Sequence, residues 1–388
     1  MSTKITSDHL VAQLQAAVTR GDGYIMGSRG QNPRTGYLDL SVPESKCKSG
    51  WKETGWYFSQ YSGRQKTQAL SWRKRCSRVW DCNGMMEGIY ELAGRDINKL
   101  HQEGDDDFSF ALAGLSRFRC NAYIQRGTVA ATCRMVAFGL PEPRALGIPD
   151  LVMELTKNLN GMILVTGPAG SGKSTTLACM IDRINHHRDC HIITMEDPIE
   201  YIHRHDRAIV TQREISIDTP GYLESLRSAL RESPDVILLG EMRDYDTISS
   251  AITAAETGVL LFSTLHTSSA ANTINRILDV FPANQQQQVK IQLAQILKGV
   301  VCQQLVPGIE GGQLPVFEVL KSTTAIQNMI REDKLHQLDS AMQAGAADGM
   351  CTMDGSLLRL YKEGKISKAT ALVSCVHYEN MVKRVGGL

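Results

Sequence analysis

Short apolar runs and amphipathic stretches alternate through the second half of the chain. From residue 150 onward, apolar runs of four or five residues occupy 162–166, 191–195, 236–239 and 259–263. Runs of this length predict buried strands, and the segments between and after them have the pattern of helices. Strands that alternate with helices predict a parallel sheet covered by helices. The last part, 285–388, is predicted to be largely helical.

The region before residue 150 has a different pattern. Apolar residues at helical spacing between Met86 and Leu100 predict two helices, and alternating or apolar runs predict strands at 108–112, 118–123 and 130–136. Two prolines in the sequence GLPEPR, which begins at Gly139, interrupt regular structure. We therefore predict an α/β protein with an N-terminal domain at 1–138, a linker at 139–149 and a second domain at 150–388.

Composition and charge exclude several classes of protein. The chain has 388 residues, of which 42% are hydrophobic and 21% charged, and a formal net charge of +1, so nucleic acid is not expected as a partner. No apolar run reaches the roughly 18 residues of a membrane span, and the N-terminus lacks the apolar segment of a signal peptide. We expect a cytoplasmic protein without a transmembrane segment. The ten cysteines form no CxxC pair, which indicates reduced thiols.

A phosphate-binding loop is the strongest motif. Residues 167–174 read GPAGSGKS, after the predicted strand 162–166 and before a helix predicted to open at Thr175. The glycines let backbone N–H groups turn toward phosphates, and the helix N-terminus adds partial positive charge. Lys173 is predicted to reach the β- and γ-phosphates of ATP, and the Ser174 hydroxyl to bind Mg²⁺. The predicted ATP-binding residues are Gly167, Pro168, Ala169, Gly170, Ser171, Gly172, Lys173, Ser174 and Thr175.

Acidic residues follow two other predicted strands. Glu241 comes after the strand 236–239, where a carboxylate can face Mg²⁺ and orient or deprotonate the attacking water. Three more carboxylates lie within EDPIE at 196–200, directly after the strand 191–195. They would repel one another without nearby cations, and a Mg-nucleotide site supplies such cations.

One histidine also follows a predicted strand. The sequence STLHT at 263–267 contains His266, whose imidazole can sense the γ-phosphate. A single histidine is as often a structural residue, and spacing alone does not separate the two interpretations.

These motifs, in this order, resemble those of the secretion-type ATPases of type IV pilus and type II secretion machines. EDPIEY at 196–201 resembles the family's Asp box, GEMRD at 240–244 the end of its Walker B strand, and STLHT its His box. Within that family the chain is similar to the PilT-like retraction ATPases. AIQNMIRE at 325–332 resembles their C-terminal motif, and the four-cysteine zinc motif usual in extension and secretion ATPases is missing from this sequence.

The resemblance, which runs from about 85 to 380, implies a fold and a machine. A PAS-like α+β N-terminal domain would precede a RecA-like P-loop ATPase domain with a parallel sheet and a helical C-terminal part. Six subunits would form a homo-hexameric ring at the inner face of the cytoplasmic membrane, in contact with an inner-membrane pilus platform protein. The ring would convert ATP hydrolysis into pilus disassembly and twitching motility.

The resemblance also assigns roles to residues. Glu241 corresponds to the Walker B acid and thus to a position near Mg²⁺, Glu200 to the functional acid of the Asp box, and His266 to the His-box histidine. The sequence GLSRFRCN at 114–121 resembles the family's arginine-bearing strand. Arg119 and Arg134 are therefore candidates for arginines that reach the γ-phosphate.

The sequence departs from the family in three places. Val259 stands where a first His-box histidine is usual, and Gln327 where the C-terminal motif usually has arginine. The third departure is the segment 23–84, which lacks the family's N-terminal strand and hairpin motifs. It holds all four tryptophans, and nine basic residues against one acidic residue lie between Lys46 and Trp80.

Three hypotheses account for the segment 23–84. A shifted reading frame explains the abrupt loss and return of resemblance, while a lineage-specific insert that binds an acidic partner explains the basic excess. A zinc site at Cys47, Cys76 and Cys82 is the third, although their spacing fits no standard pattern.

Rival functions also stay open at this point. A motor for pilus extension or type II secretion has the same core. A RecA-like nucleic-acid motor would use the tryptophans and cations of 23–84 on single strands. A nucleotide-binding ring protein without effective turnover would follow if the N-terminal domain is damaged.

Overall fold

The computed structural model describes residues 24–26, 37–39, 78–80, 82–112, 116–136 and 139–386. The chain divides into two compact units, Met1–Phe138 and Gly139–Leu388. Most of the segment 23–84, including Cys47 and Cys76 of the proposed zinc site, lies outside the described residues, whereas Cys82 is the first residue of a described helix. The three hypotheses about that segment therefore stay predictions.

The first unit is built on an antiparallel sheet. Its strands and helices are β1 (Tyr24–Met26), β2 (Tyr37–Asp39), β3 (Arg78–Trp80), α1 (Cys82–Ala93), α2 (Asn98–Glu103), β4 (Asp105–Leu112), β5 (Ser116–Gln125) and β6 (Thr128–Val136). The sheet order is β1-β6-β5-β4, and β2 pairs with β3 in a two-stranded sheet. The two helices and three longer strands confirm the elements that the sequence predicts between 86 and 136.

Aromatic side chains form the core of the first unit, where Tyr90 of α1 packs on Phe108, and Phe110 stacks on Phe118. The buried carboxylate of Asp106 accepts hydrogen bonds from the Tyr90 hydroxyl at 2.9 Å and from Arg95 at 2.8 Å. A buried carboxylate is tolerated because these donors replace water.

The second unit contains a seven-stranded sheet in the order β13-β12-β7-β11-β10-β8-β9. Its strands are β7 (Gly161–Thr166), β8 (His191–Glu196), β9 (Ile209–Glu214), β10 (Val236–Leu239), β11 (Leu260–Leu265), β12 (Leu297–Pro307) and β13 (Gln313–Lys321). All pairs are parallel except β12 with β13. The carboxyl ends of β7, β8, β10 and β11 therefore meet at one edge, which is where ligands bind in such sheets.

Helices cover this sheet. They are α3 (Asp150–Glu154), α4 (Lys173–His187), α5 (Tyr222–Ala229), α6 (Tyr245–Glu256), α7 (Ala270–Asp279), α8 (Ala283–Ile296), α9 (Thr324–Arg331), α10 (Leu338–Ala344), α11 (Met353–Lys362), α12 (Lys368–Ser374) and α13 (Tyr378–Gly386). The side chains of β7, β10 and β11 are buried throughout, as expected for strands covered on both faces. No helix in the described part of the chain is both long and apolar enough to cross a bilayer.

Several elements and boundaries differ from the prediction. The region 285–388 is largely helical, as predicted, but it also contains the strands β12 and β13, which were not predicted and which extend the sheet. Polar residues inside these strands, Gln303 and Glu318 among them, obscured the apolar runs. The strand β9 was missed for the same reason. In addition, β11 runs to Leu265, so Thr264 and Leu265 also lie within the strand, and α4 begins at Lys173 and not at Thr175.

Buried Glu318 of β13 shows why a polar residue lies inside a strand. Its carboxylate accepts a hydrogen bond from the Ala270 N–H at 2.6 Å and another from the Met353 N–H at 3.0 Å. These residues begin α7 and α11, whose first N–H groups have no partner within their own helices. Glu318 thus joins two helix N-termini to the sheet.

Candidate active site

The loop between β7 and α4 depends on glycine conformations. Gly167, Gly170 and Gly172 have φ of 143°, 75° and 89°, a region that other residues rarely adopt. Glycine at these positions permits the tight turn that directs backbone N–H groups inward.

Gln303 of β12 packs against the phosphate-binding loop. A Cβ atom on Gly167 would lie 2.0 Å from the Gln303 carbonyl oxygen, and one on Gly172 would lie 2.8 Å from its Nε2. The buried amide also accepts a hydrogen bond from the Thr176 hydroxyl at 2.7 Å. Gln303 was missed from the sequence, because it lies 127 residues from Thr176 on a strand that was not predicted.

This packing gives a stability prediction. Gly167→Ala should lower the free energy of unfolding by about 2–4 kcal/mol, because the new methyl group meets a backbone oxygen that cannot move freely. Gly170→Ala is the matched control: its φ is also positive but nothing lies within 4 Å of the Cβ position, so we expect a loss of only about 1 kcal/mol. Chemical unfolding followed by circular dichroism measures both, and equal losses would contradict the role of Gln303.

Lys173 is the first residue of α4 and directly follows this loop. Its ammonium group donates hydrogen bonds to the carbonyl oxygens of Gly167 and Pro168, both at 2.9 Å. Burial lowers the pKa of Lys173, and the nearby carboxylates of Glu241 and Glu200 act in the opposite direction. A flexible cation held beside the loop and two carboxylates suits a phosphate chain.

The other residues predicted to bind ATP differ in their exposure and in their contacts. Ser174 lines the same cavity as Lys173. The Thr175 hydroxyl shares a hydrogen bond with the Tyr201 hydroxyl at 2.9 Å, which joins α4 to the Asp box. Pro168 and Ala169 are exposed, and Ser171 is buried.

A cavity of about 230 Å³ brings the predicted chemistry together. Glu200, Glu241 and His266 line it with Lys173 and Ser174. The parallel register explains the convergence, because Glu241 and His266 follow the neighbouring strands β10 and β11. Residues from four separate segments therefore meet at the carboxyl edge of the sheet.

Hydrogen bonds fix the backbone that carries Glu241. The Gly240 N–H donates to the Met195 carbonyl at 2.8 Å, and the Gly240 carbonyl accepts from the Thr264 hydroxyl at 2.6 Å. The Met242 N–H donates to the Thr264 carbonyl at 3.3 Å. This short segment is thus held between β8 and β11.

A basic side chain lies close to each oxygen of the Glu241 carboxylate. Oε2 lies 2.7 Å from the Arg243 guanidinium, and Oε1 lies 3.3 Å from His266 Nε2. The Glu241 side chain is 15% exposed, whereas that of Arg243 is 75% exposed. The contact with His266 favours a role for this histidine in the site, and Arg243 is a partner that the sequence interpretation did not single out.

The Asp box adds one partly buried carboxylate, Glu196, and two exposed ones, Asp197 and Glu200. Glu196 ends β8 and accepts a hydrogen bond from the Thr194 hydroxyl at 2.7 Å, while burial raises the pKa of Glu196. Glu200 is exposed at the same cavity. Raised carboxyl pKa values are common where a site is built to hold cations or protons.

The two candidate arginines lie in the first unit. Arg119 on β5 and Arg134 on β6 are direct cross-strand partners. The cavity residues belong to the second unit, and the action of these arginines on the γ-phosphate stays a prediction.

The residues of the cavity fit a nucleoside triphosphate with its cation. The loop's positive-φ glycines and the N-terminus of α4 provide N–H donors for phosphates. Ser174 and Glu241 offer the oxygen ligands that Mg²⁺ prefers when it is also held by phosphates.

Comparisons with known proteins agree with this geometry. A family described as "Type II/IV secretion system protein" matches residues 149–313. The type IV pilus retraction ATPase PilT of Pseudomonas aeruginosa is 47% identical over 73% of this chain and 83% of its own length. A twitching motility protein of Neisseria gonorrhoeae is 44% identical over 73% of this chain and 76% of its own length.

A solved structure extends the similarity to three dimensions. The crystal structure of the pilus retraction motor PilT with bound ADP is 47% identical, covers 79% of this chain and 88% of that chain, and has a TM-score of 0.74. The chain therefore belongs to the PilT-like branch of the secretion-type ATPases, and it is a nucleotide-binding, ATP-hydrolysing enzyme.

Proposed function

We propose that this chain is the motor that retracts a type IV pilus and so drives twitching motility. The observation that carries the proposal is the convergence of Lys173, Glu241 and His266 on one cavity, in a chain that is 47% identical to a PilT retraction ATPase over most of both lengths. An intact site on this scaffold supports a working motor.

In the proposed reaction, Lys173 exchanges its loop carbonyl partners for the phosphates of ATP. Ser174 and Glu241 would hold Mg²⁺, which would neutralise charge on the phosphate oxygens. Glu241 orients the attacking water and accepts its proton. His266 and Arg243, which contact the two oxygens of Glu241, keep the carboxylate in place between turnovers.

The proposal includes an assembly. Six copies of the chain form a ring at the cytoplasmic face of the inner membrane, where they contact the pilus platform protein. What supports this assembly is the family resemblance.

Deletion of the gene in its own host tests the direction of the motor. A retraction motor predicts cells that keep or gain surface pili but lose twitching, with both effects reversed by the wild-type gene. Loss of surface pili would indicate an extension motor, and unchanged piliation with a secretion defect would indicate a secretion motor. Either result would contradict the proposal.

A further inference from the structure

Tyr222 lines the cavity of about 230 Å³ beside the phosphate-binding loop, but it has no role in the proposed reaction. It is the first residue of α5, and it lines the cavity with Lys173, Glu241 and His266. Its ring covers Gly240: a Cβ atom there would lie 2.9 Å from the phenol oxygen and 3.3 Å from the ring. The absence of a side chain at Gly240 thus lets the phenol approach the Walker B segment.

The Tyr222 hydroxyl is available as a donor. Within the part of the chain that the structure describes, no protein atom forms a hydrogen bond with it, although Tyr222 is only partly exposed. Burial, followed by the charges of Asp197 and Glu241, raises the pKa of Tyr222 well above its usual range. The phenol therefore keeps its proton at physiological pH.

The groups around the Tyr222 hydroxyl indicate which kind of hydrogen-bond acceptor it can bind. Glu241 and Asp197 are close enough to act on the phenol electrostatically but do not accept its hydrogen bond in the structure. A phosphate chain held by Lys173 brings further oxygens into the same cavity. Negative charge develops on those oxygens while the phosphoryl group is transferred. A hydrogen-bond donor that is already in position stabilises this charge without having to reorient during the reaction.

We propose that Tyr222 is a further catalytic residue whose O–H donates a hydrogen bond to an oxygen of the phosphoryl group that is transferred. The inference rests on the proposed ATPase site and adds to it a donor that the motifs do not include. The proton stays on the phenol, so Tyr222 takes no part in the proton transfer to Glu241.

Tyr222→Phe removes only the hydroxyl and keeps the ring over Gly240. We expect kcat for ATP to fall about 10- to 100-fold with little change in KM, because the lost bond acts mainly in the transition state. The matched control is Tyr245→Phe, whose hydroxyl bonds Gln285 at 3.1 Å on α8 and does not line the cavity. It should keep the wild-type rate.

Binding of ADP with and without aluminium fluoride supplies a second readout. Wild-type protein should bind ADP with aluminium fluoride more tightly than ADP alone. In Tyr222→Phe, the ratio of these two affinities should be at least tenfold smaller, while the affinity for ADP alone is unchanged. A variant with unchanged kcat and an unchanged affinity difference, or with a change in KM alone, would overturn the role of Tyr222. If wild-type protein neither hydrolyses ATP nor binds ADP, the proposed function itself fails, and the inference fails with it.

Discussion

Replacing Lys173 with alanine is expected to lower kcat/KM for ATP by about a thousandfold, or about 4 kcal/mol in transition-state stabilisation. Lys173 is the first residue of α4. The two hydrogen bonds that its ammonium group donates to loop carbonyls place it beside Glu241 and Glu200. No other group in the loop can supply this positive charge to the phosphates. ADP binding should weaken as well, because the charge acts on bound phosphates in both states.

The control for this variant is Lys157→Ala. Lys157 is an exposed lysine that pairs with Glu154 at 3.6 Å on the surface of the same unit. Its loss removes one positive charge but should leave turnover unchanged, since exposed pairs contribute little. Retention of wild-type activity by Lys173→Ala, or equal losses in both variants, would place the phosphate site elsewhere.

Replacing Glu241 with glutamine is expected to lower kcat by about 10² to 10⁴, the usual contribution of a general base. The amide keeps the size of the carboxylate, but it cannot accept a proton from water. ATP binding should be retained or become tighter, because one negative charge near the phosphates is removed. Stopped turnover together with intact ATP binding is therefore the pattern that identifies Glu241 as the base.

Glu310→Gln serves as the charge-matched control for that experiment. Glu310 is exposed in the turn between β12 and β13, and its substitution changes net charge by the same amount. Measured with fluorescent nucleotide and phosphate-release assays, it should match wild type in both binding and rate. A Glu241→Gln enzyme that turns over at the wild-type rate would exclude Glu241 from catalysis.

Much of the site could be predicted because its signals are local. The P-loop motif needs a preceding strand, two spaced glycines and a lysine followed by serine or threonine, and the sequence shows all of them together. Glu241 and His266 follow apolar runs that were recognised as strands, and a parallel sheet brings the ends of such strands to one edge. The fold class followed from the same alternation of strands and helices.

The residues that were missed act across long sequence separations. Gln303 contacts a helix 127 residues earlier in the chain, and Tyr222 reaches Gly240 from the start of a different helix. Polar residues such as Gln303 and Glu318 also break the apolar pattern of the strands that contain them. No local period indicates such contacts, because their cause lies in the packing of β12, β13 and α5 and not in neighbouring residues.

Hydrolysis of ATP by the purified full chain, across a concentration series and with and without Mg²⁺, tests the central claim most directly. We expect Mg-dependent turnover that rises per subunit with protein concentration, as expected for shared sites in a ring, and that falls about a thousandfold in Lys173→Ala. Turnover at the wild-type rate in Lys173→Ala, or intact ATP binding without any turnover in the wild-type protein, would contradict the proposed ATPase site.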